Sequence, residues 1–336
     1  MHKIFLNNPF EADRFAAILE EEGIPHTVVD HGSLVFDGLY QMTMGWGHVE
    51  VPEEYQVPAE ALHQALMASI GEENPKNVMP MVIDHLLAVA QPYLEMRTIK
   101  DAVIGLALMA IELDNGDLGL AYTLRESLPP GCSAFGFAQE IIGKNAYEVA
   151  LMAKEGQNDV QRGVGVAVLT AGSRQLGLPV DNDRHPFFGL EVTAEDTVGM
   201  IGMIPGIAKR FAQQAKSLIV FDQAISMYEK GDAEVAPMEQ QAELLPKCDI
   251  VIISGTTLIN QSLDALLSMC TNARDIILVG ASAPMYPEAY RGTGVSVLAG
   301  AWWDAAQKDE LFKIISLAGG IGHVQRMTIK KAVRVV

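Results

Sequence analysis

The stretch Cys248–Asp–Ile–Val–Ile–Ile–Ser–Gly–Thr–Thr–Leu–Ile–Asn260 decides the fold of this chain. Ile250 to Ile253 are all β-branched, as expected of a strand buried on both faces. The strand ends in a small-polar elbow of Ser254, Gly255, Thr256, Thr257 and Asn260, and a helix follows. The pattern recurs after Asp275–Ile–Ile–Leu–Val–Gly280, where the elbow is Ala281, Ser282, Ala283 and Pro284. Ligands of open parallel sheets are met where strand C-termini hand over to helices. Two such elbows in succession locate a site without naming its chemistry.

Working outward, strands are expected at 197–203, 217–222 and 295–300, with helices near 206–216, 261–271 and 306–318. Near-continuous apolar strands alternating with helices mean a parallel sheet covered on both faces. Residues 191–336 are therefore read as a Rossmann-like α/β domain. In the basic stretch 326–336, Arg326, Lys330, Lys331 and Arg334 alternate with apolar residues, which fits the solvated face of a last strand.

Residues 78–190 read as an α+β unit. A helix from about 79 to 94 precedes strands at 98–105, 108–113 and 118–124. Asp114–Asn–Gly–Asp117 supplies the hairpin turn between the last two. Helices are expected at 134–143, 145–154 and 158–176. Residues 1–72 read as a small βαβββα module. Its strands lie at 2–7, 26–30, 33–37 and 47–51, and its helices at 8–22 and 58–70, with Gly23 ending the first. Glu72–Glu–Asn–Pro–Lys–Asn77 is a polar linker. The opening Lys3–Ile–Phe–Leu–Asn–Asn–Pro–Phe–Glu–Ala–Asp13 and Leu19–Glu–Glu–Glu–Gly–Ile–Pro25 resemble a short prokaryotic signal-transducing domain.

Composition bounds the function. The 336 residues are 49% apolar and 20% charged, as in ordinary globular proteins. The net charge of −18 disfavours nucleic acid and anionic membrane as partners. Residues 1–75 hold 2 Lys/Arg against 13 Asp/Glu, a balance of −11; the rest hold 22 against 29, a balance of −7. This asymmetry marks the N-terminal segment as a separate unit. The sequence has neither a run of about 18 apolar residues nor a signal peptide, so a cytoplasmic protein is expected. Cys132, Cys248 and Cys270 show no CxxC spacing, which argues against a disulfide framework or a thiolate zinc site. Cys248 and Cys270 read as buried hydrophobes, and Cys132 as an exposed loop thiol.

Several residues compete for a role. Ser254, Thr256, Thr257 and Asn260 exceed what capping requires and suit hydrogen bonds to a polar or anionic ligand. They have no neighbouring His or Cys, so nucleophile–base catalysis is not indicated. Gly199–Met–Ile–Gly–Met–Ile–Pro–Gly206 departs from the dinucleotide fingerprint, although its glycines allow close backbone approach. Asp222, ending the second strand, fits either a ribose-binding acid or a helix cap. Glu112 and Tyr122 face either a cleft or solvent. Arg162 binds an anion or pairs with a nearby carboxylate, and His323 follows a glycine-rich helix end. His26, Asp30, His31 and His48 offer metal-ligand chemistry, but solvated surface histidines are the better expectation.

Residues 85–336 resemble the bacterial and archaeal family of "putative heavy-metal chelation" domain proteins. The matching residues are Glu112–Leu–Asp–Asn–Gly–Asp–Leu–Gly–Leu–Ala–Tyr–Thr–Leu124, Arg162–Gly–Val–Gly–Val–Ala167, Ser254–Gly–Thr–Thr–Leu–Ile–Asn260, Gly280–Ala–Ser–Ala–Pro–Met285 and Gly319–Gly320. The resemblance implies an enolase N-terminal-like α+β unit beside a Rossmann-like domain, with a site in the cleft between them. Thr170–Ala171 stands where the family usually carries Asn-Ala. Gly280–Ala–Ser–Ala–Pro284 stands for Gly-Pro-Ser-Thr-Pro.

The leading expectation is a protein binding a small polar ligand in that cleft, a heavy metal or metal chelate. Ser254, Gly255, Thr256, Thr257, Asn260, Gly280 and Ser282 would contact it, with Asp222, Glu112 and Tyr122 across the gap. One alternative is an enzyme using a nucleotide or adenosyl cofactor on the Rossmann-like sheet. Another is a ligand sensor signalling through the N-terminal module. A homodimer is compatible with the apolar composition.

Overall fold

The computed structural model describes residues 1–6, 9–30, 47–72, 81–125, 135–178, 185–222 and 234–336. The expected strand at 33–37, His31, the linker from residue 73 and Cys132 lie outside the described residues. Described residues up to Glu72 form one compact unit, and those from Met81 onward form another.

In the N-terminal unit, β1 (His2–Leu6), α1 (Pro9–Glu21), β2 (Thr27–Asp30), β3 (Gly47–Val51) and α2 (Gln56–Glu72) follow in order. The sheet runs β1-β3-β2, antiparallel throughout. Its core gathers Ile4, Leu6, Phe15, Leu19, Val49 and Val51. Gly23 takes the left-handed position that ends α1 (φ 66°), as expected of a helix C-cap. His48 does not match the expected solvated surface. It is 4% exposed because β3 is the central strand, flanked on both sides.

The larger unit opens with α3 (Val82–Leu94) and a meander of β4 (Ile99–Ile104), β5 (Leu108–Leu113) and β6 (Leu118–Tyr122). Short helices α4 (Ala146–Ala150) and α5 (Met152–Glu155) lead into α6 (Asp159–Gly172). All six residues of β5 are buried, because the meander is covered on both faces. Met109 and Ile111 face α6, while Leu108 and Ala110 join Leu311 and Ile315 in a second cluster. The helix expected at 134–143 is absent among the described residues there, where turns run up to Gly143 at φ 81°. The helix expected at 145–154 is broken at Leu151.

The sheet that follows holds β7 (Thr197–Ile201), β8 (Ser217–Phe221), β9 (Glu234–Val235), β10 (Ile250–Ser254), β11 (Asp275–Val279), β12 (Val297–Trp303) and β13 (Thr328–Arg334). Their order is β13-β12-β11-β10-β7-β8-β9, parallel except for β13 against β12. Counted from β7, the parallel strands read 3-2-1-4-5-6. That is the doubly wound order, which reverses between β7 and β10. Helices α7 (Pro205–Gln214), α8 (Gln241–Leu244), α9 (Leu263–Met269) and α10 (Lys308–Ser316) connect them, and α11 (Ile321–Val324) precedes β13. One core runs from Val82 to Val333, so the meander and the parallel sheet share it. No helix among the described residues is long and apolar enough to cross a membrane.

The N-terminal edge of the sheet is tied electrostatically. Arg274, ahead of β11, donates to Asp196, ahead of β7, through Nη1 to Oδ1 (2.6 Å) and Nη2 to Oδ2 (2.8 Å). Thr193 N–H adds a bond at 2.7 Å. The buried Asp196 carboxyl is held down to about 2 from its ordinary 3.8, first by the Arg274 hydrogen bonds. A depressed carboxyl stabilises the fold above its unfolded pKa and loses that contribution as pH falls from about 3.8 toward 2. Because Arg274 is itself partly exposed, the contribution is about 1–2 kcal/mol. Asp196→Asn is expected to lower stability by that amount at neutral pH. It also flattens the stability curve between pH 3.8 and 2 in urea melts. An unchanged acid limb would show that the pair is energetically idle.

Candidate functional site

Ser254 ends β10 beside β7, at the point where the strand order reverses. Much of its elbow is occupied with making its own turn. Thr257 Oγ1 donates to the Ser254 carbonyl at 2.7 Å. Ser254 Oγ accepts from Thr256 N–H at 3.4 Å and pairs with Thr256 Oγ1 at 2.9 Å. Asn260 Oδ1 accepts from both the N–H and the hydroxyl of Ser262, at 3.2 and 2.7 Å.

Counting protons shows what remains. Two hydroxyls bonded to each other use one proton and leave one, so the part-buried Ser254–Thr256 pair keeps a free O–H donor. With Asn260 Oδ1 committed to Ser262, its Nδ2 amide points two more donors outward at an exposed position. The elbow therefore offers these donors beside the unused lone pairs of the Thr256 and Thr257 hydroxyls. Donors of this kind are able to hydrogen-bond the oxygen atoms of a polar or anionic group.

The second elbow does not line up with the first as another row of ligand contacts. Ser282 is buried, and its Oγ accepts the Tyr122 N–H at 2.9 Å, holding the end of β6 on the end of β11. Gly255 is required by this junction. A Cβ there would lie 2.5 Å from the Ser282 carbonyl carbon and oxygen, so the two elbows meet backbone to backbone. Gly280 takes φ 120° with open space beside it, so it serves the backbone turn rather than a close contact.

The remaining candidates fall in different places. Asp222 ends β8, and its Oδ2 accepts Met203 N–H at 2.5 Å, bracing the β7–α7 loop. Arg162 does more than pair with a carboxylate. It bonds Asp159 and also donates through Nε to the Ile259 carbonyl (2.6 Å), fastening α6 to the first elbow. Tyr122 reaches the elbows through its backbone. Glu112 lies at the far end of the hairpin, opposite Leu118 where Tyr122 is opposite Leu108. Four residues of strand separate them by about 13 Å.

Strand alternation puts Glu112 on the same face as Leu108 and Ala110, the face covered by α10. There Glu112 is buried, bonded to Lys100 Nζ at 2.7 Å and 3.7 Å from Lys308 Nζ. With Asp101 and Asp309 these groups line a polar cavity of about 280 Å³. Sequence reading missed Lys308. It stands just past the β12 end, where a third elbow begins with Asp304 Oδ1 accepting Ala306 N–H. Extending the elbow argument by one strand would have found it.

Metal-ligand geometry is sparse. Among the described residues, no three His, Cys, Asp or Glu side chains come together to hold an ion. His26 Nδ1 donates to the Ile24 carbonyl, and His48 pairs with Glu50. His323 Nδ1 accepts the Gly320 N–H at the start of α11. Burial pushes the Cys248 thiol up to about 11 and the Cys270 thiol to about 12, so neither forms a thiolate ligand readily.

These features define a class: a doubly wound parallel sheet with a hairpin-and-helix layer fastened over its strand C-termini. Two family profiles, both described as "putative heavy-metal chelation", match residues 87–173 and 187–334. The chain belongs to this family. The uncharacterized protein MJ0500 of Methanocaldococcus jannaschii is 30% identical over 196 residues, spanning 54% of this chain and 68% of the relative. Two solved structures share the fold, both of DUF364-family proteins of unknown function. One, from Pyrococcus horikoshii, has a TM-score of 0.65 at 20% identity and covers 76% of this chain and 100% of its own. The other, from Desulfitobacterium hafniense DCB-2, has a TM-score of 0.62 at 20% identity, with 75% and 98% covered.

Because neither elbow can retreat, Gly255→Ala is expected to cost more than about 3 kcal/mol of stability. Ser282→Ala, which strands the Tyr122 N–H, costs about 1–3 kcal/mol. Thermal unfolding followed by circular dichroism checks both. A Gly255→Ala protein melting like the parent would show that the elbows are not in contact.

Proposed function

We propose that this protein binds a small oxygen-rich anionic ligand at the Ser254–Asn260 elbow, and that a heavy metal reaches it inside such a chelate. The observation carrying this reading is the leftover donor set: one hydroxyl proton of the Ser254–Thr256 pair and the Asn260 amide. Carboxylate or hydroxamate oxygens of a chelator complement those donors, whereas a bare transition-metal ion would meet only neutral hydroxyl oxygens there. The family description agrees with metal-linked chemistry. A doubly wound strand order favours a second reading, a nucleotide or adenosyl ligand across the β7–β10 crevice. Asp222, at the strand end where such folds place a ribose-binding acid, accepts the Met203 N–H through one of its two oxygens.

Equilibrium dialysis with elemental analysis separates the readings, using iron(III) citrate, citrate alone and nickel ion in a non-coordinating buffer. The chelate and citrate are expected to bind. Asn260→Ala, and Ser254→Ala combined with Thr256→Val, should each weaken them about tenfold, as loss of a hydrogen bond to a charged group does. Stoichiometric binding of nickel ion without citrate, unaffected by either variant, would sink the proposal. A nucleotide retained through purification, seen by native mass spectrometry, would establish the second reading instead.

A further inference from the structure

The N-terminal unit lies before residue 87, where the family match begins, so the family description assigns it nothing. Helix α2 is built unusually for a surface helix. Its inward positions Ala59 and Leu66 are buried in the unit's core. Yet Val57, Pro58, Ala61 and Ala65, on its outer side, are exposed. Val57 alone is 75% exposed. Surface helices carry polar residues on the side turned from the core, so an outer stripe at i, i+4, i+8 is unpartnered. Beside it runs a groove of about 490 Å³ lined by Ile24, Tyr55, Pro58, Ala61, Leu62 and Glu22.

The charge around the groove selects its occupant. Glu22 lines it, and exposed Glu53 and Glu54 share the helical turn that delivers Tyr55. Residues 1–75 carry only 2 Lys/Arg against 13 Asp/Glu. Two copies meeting through this face would set like charges against each other, which costs association energy. A groove that is apolar at its floor and acidic at its rim fits the opposite pattern. We infer that the N-terminal unit docks a cationic amphipathic helix from another protein. The apolar residues of that helix would lie on Ala61 and Leu62, and its lysines or arginines would face Glu22 and Glu54, Glu53 being held by the Met1 ammonium at 3.2 Å. This inference rests on the N-terminal unit alone and is independent of the elbow's ligand.

Fluorescence anisotropy of the full chain with a labelled leucine–lysine amphipathic peptide tests it, against a leucine–glutamate peptide of the same pattern. The lysine peptide is expected to bind and the glutamate peptide not to. Ala61→Glu is the deciding variant, because it adds negative charge while blocking the apolar floor at an exposed position. It should weaken binding about tenfold if the groove anchors the helix, and strengthen it if attraction is merely electrostatic. Glu22→Gln with Glu54→Gln should weaken binding about threefold, and the control Glu148→Gln in the larger unit should change it less than about twofold. Equal binding of both peptides, or undiminished binding by Ala61→Glu, overturns the inference. So does sedimentation showing a dimer that Ala61→Glu dissolves, which would assign the face to a second copy.

Discussion

Helix α6 is buried from end to end, and the architecture of the larger unit follows from accommodating it. Apart from Gln161 and Arg162, every residue from Asp159 to Gly172 is buried. A helix enclosed on several sides can approach its neighbours only where side chains are small. Gly165 meets the backbone of Ala153, Gly163 meets Met109, and Gly172 meets Leu94 and Tyr286. Glycines weaken a helix by about 1 kcal/mol each, so local propensity alone would not hold this one. Its neighbours do. Asn158 caps the first turn, and Thr170 Oγ1 donates to the Leu120 carbonyl of β6 and to Ala167. Gly119 of β6 leaves room for that contact, because a Cβ there would overlap the α6 backbone. Thr170 is thus spent on packing the hairpin.

The same helix sets where the elbow sits. Arg162 is one of its two residues not fully enclosed, and its guanidinium reaches the Ile259 carbonyl. Ser282 reaches the opposite way, from the parallel sheet to the end of β6. The meander, α6 and both elbows therefore form one closed circuit of contacts, in which no part of the site can shift alone.

The alternation of strands and helices was legible because β-branched runs such as Ile250–Ile253 and turn residues such as Asn115–Gly116 act locally. Position at the strand ends followed from the same pattern. Whether a hydroxyl would cap a turn or face a ligand was not legible, because that depends on which acceptor lies closest in space. Thr257 bonds three residues back, while Ser282 bonds a residue 160 positions away. Glu112 was misplaced for a related reason. Strand alternation fixes its face, but only the packing of α10 on that face reveals Lys308 as its neighbour. The short helices near Leu151 were hidden because apolar periodicity continues through the break. At the last helix, left-handed geometry falls on Ala318 (φ 61°) rather than on the glycines that follow.

The donors of the elbow are themselves uncharged, although the Asp159–Arg162 ion pair borders it at the Ile259 carbonyl. Hydroxyl and amide donors do not titrate under conditions in which proteins stay folded. The titratable groups that hold the sheet together, Asp196 and Arg274, stand at its opposite edge. Lys100 and Lys308 are balanced by Glu112 and Asp101 beside the end of β12. Acid therefore loosens the base of the sheet without touching the donors at its top. For the ligand proposed above, pH would act on its own oxygens, which must be deprotonated to accept these bonds. A site built this way would discriminate by the protonation and shape of what it binds, rather than by switching its own charge.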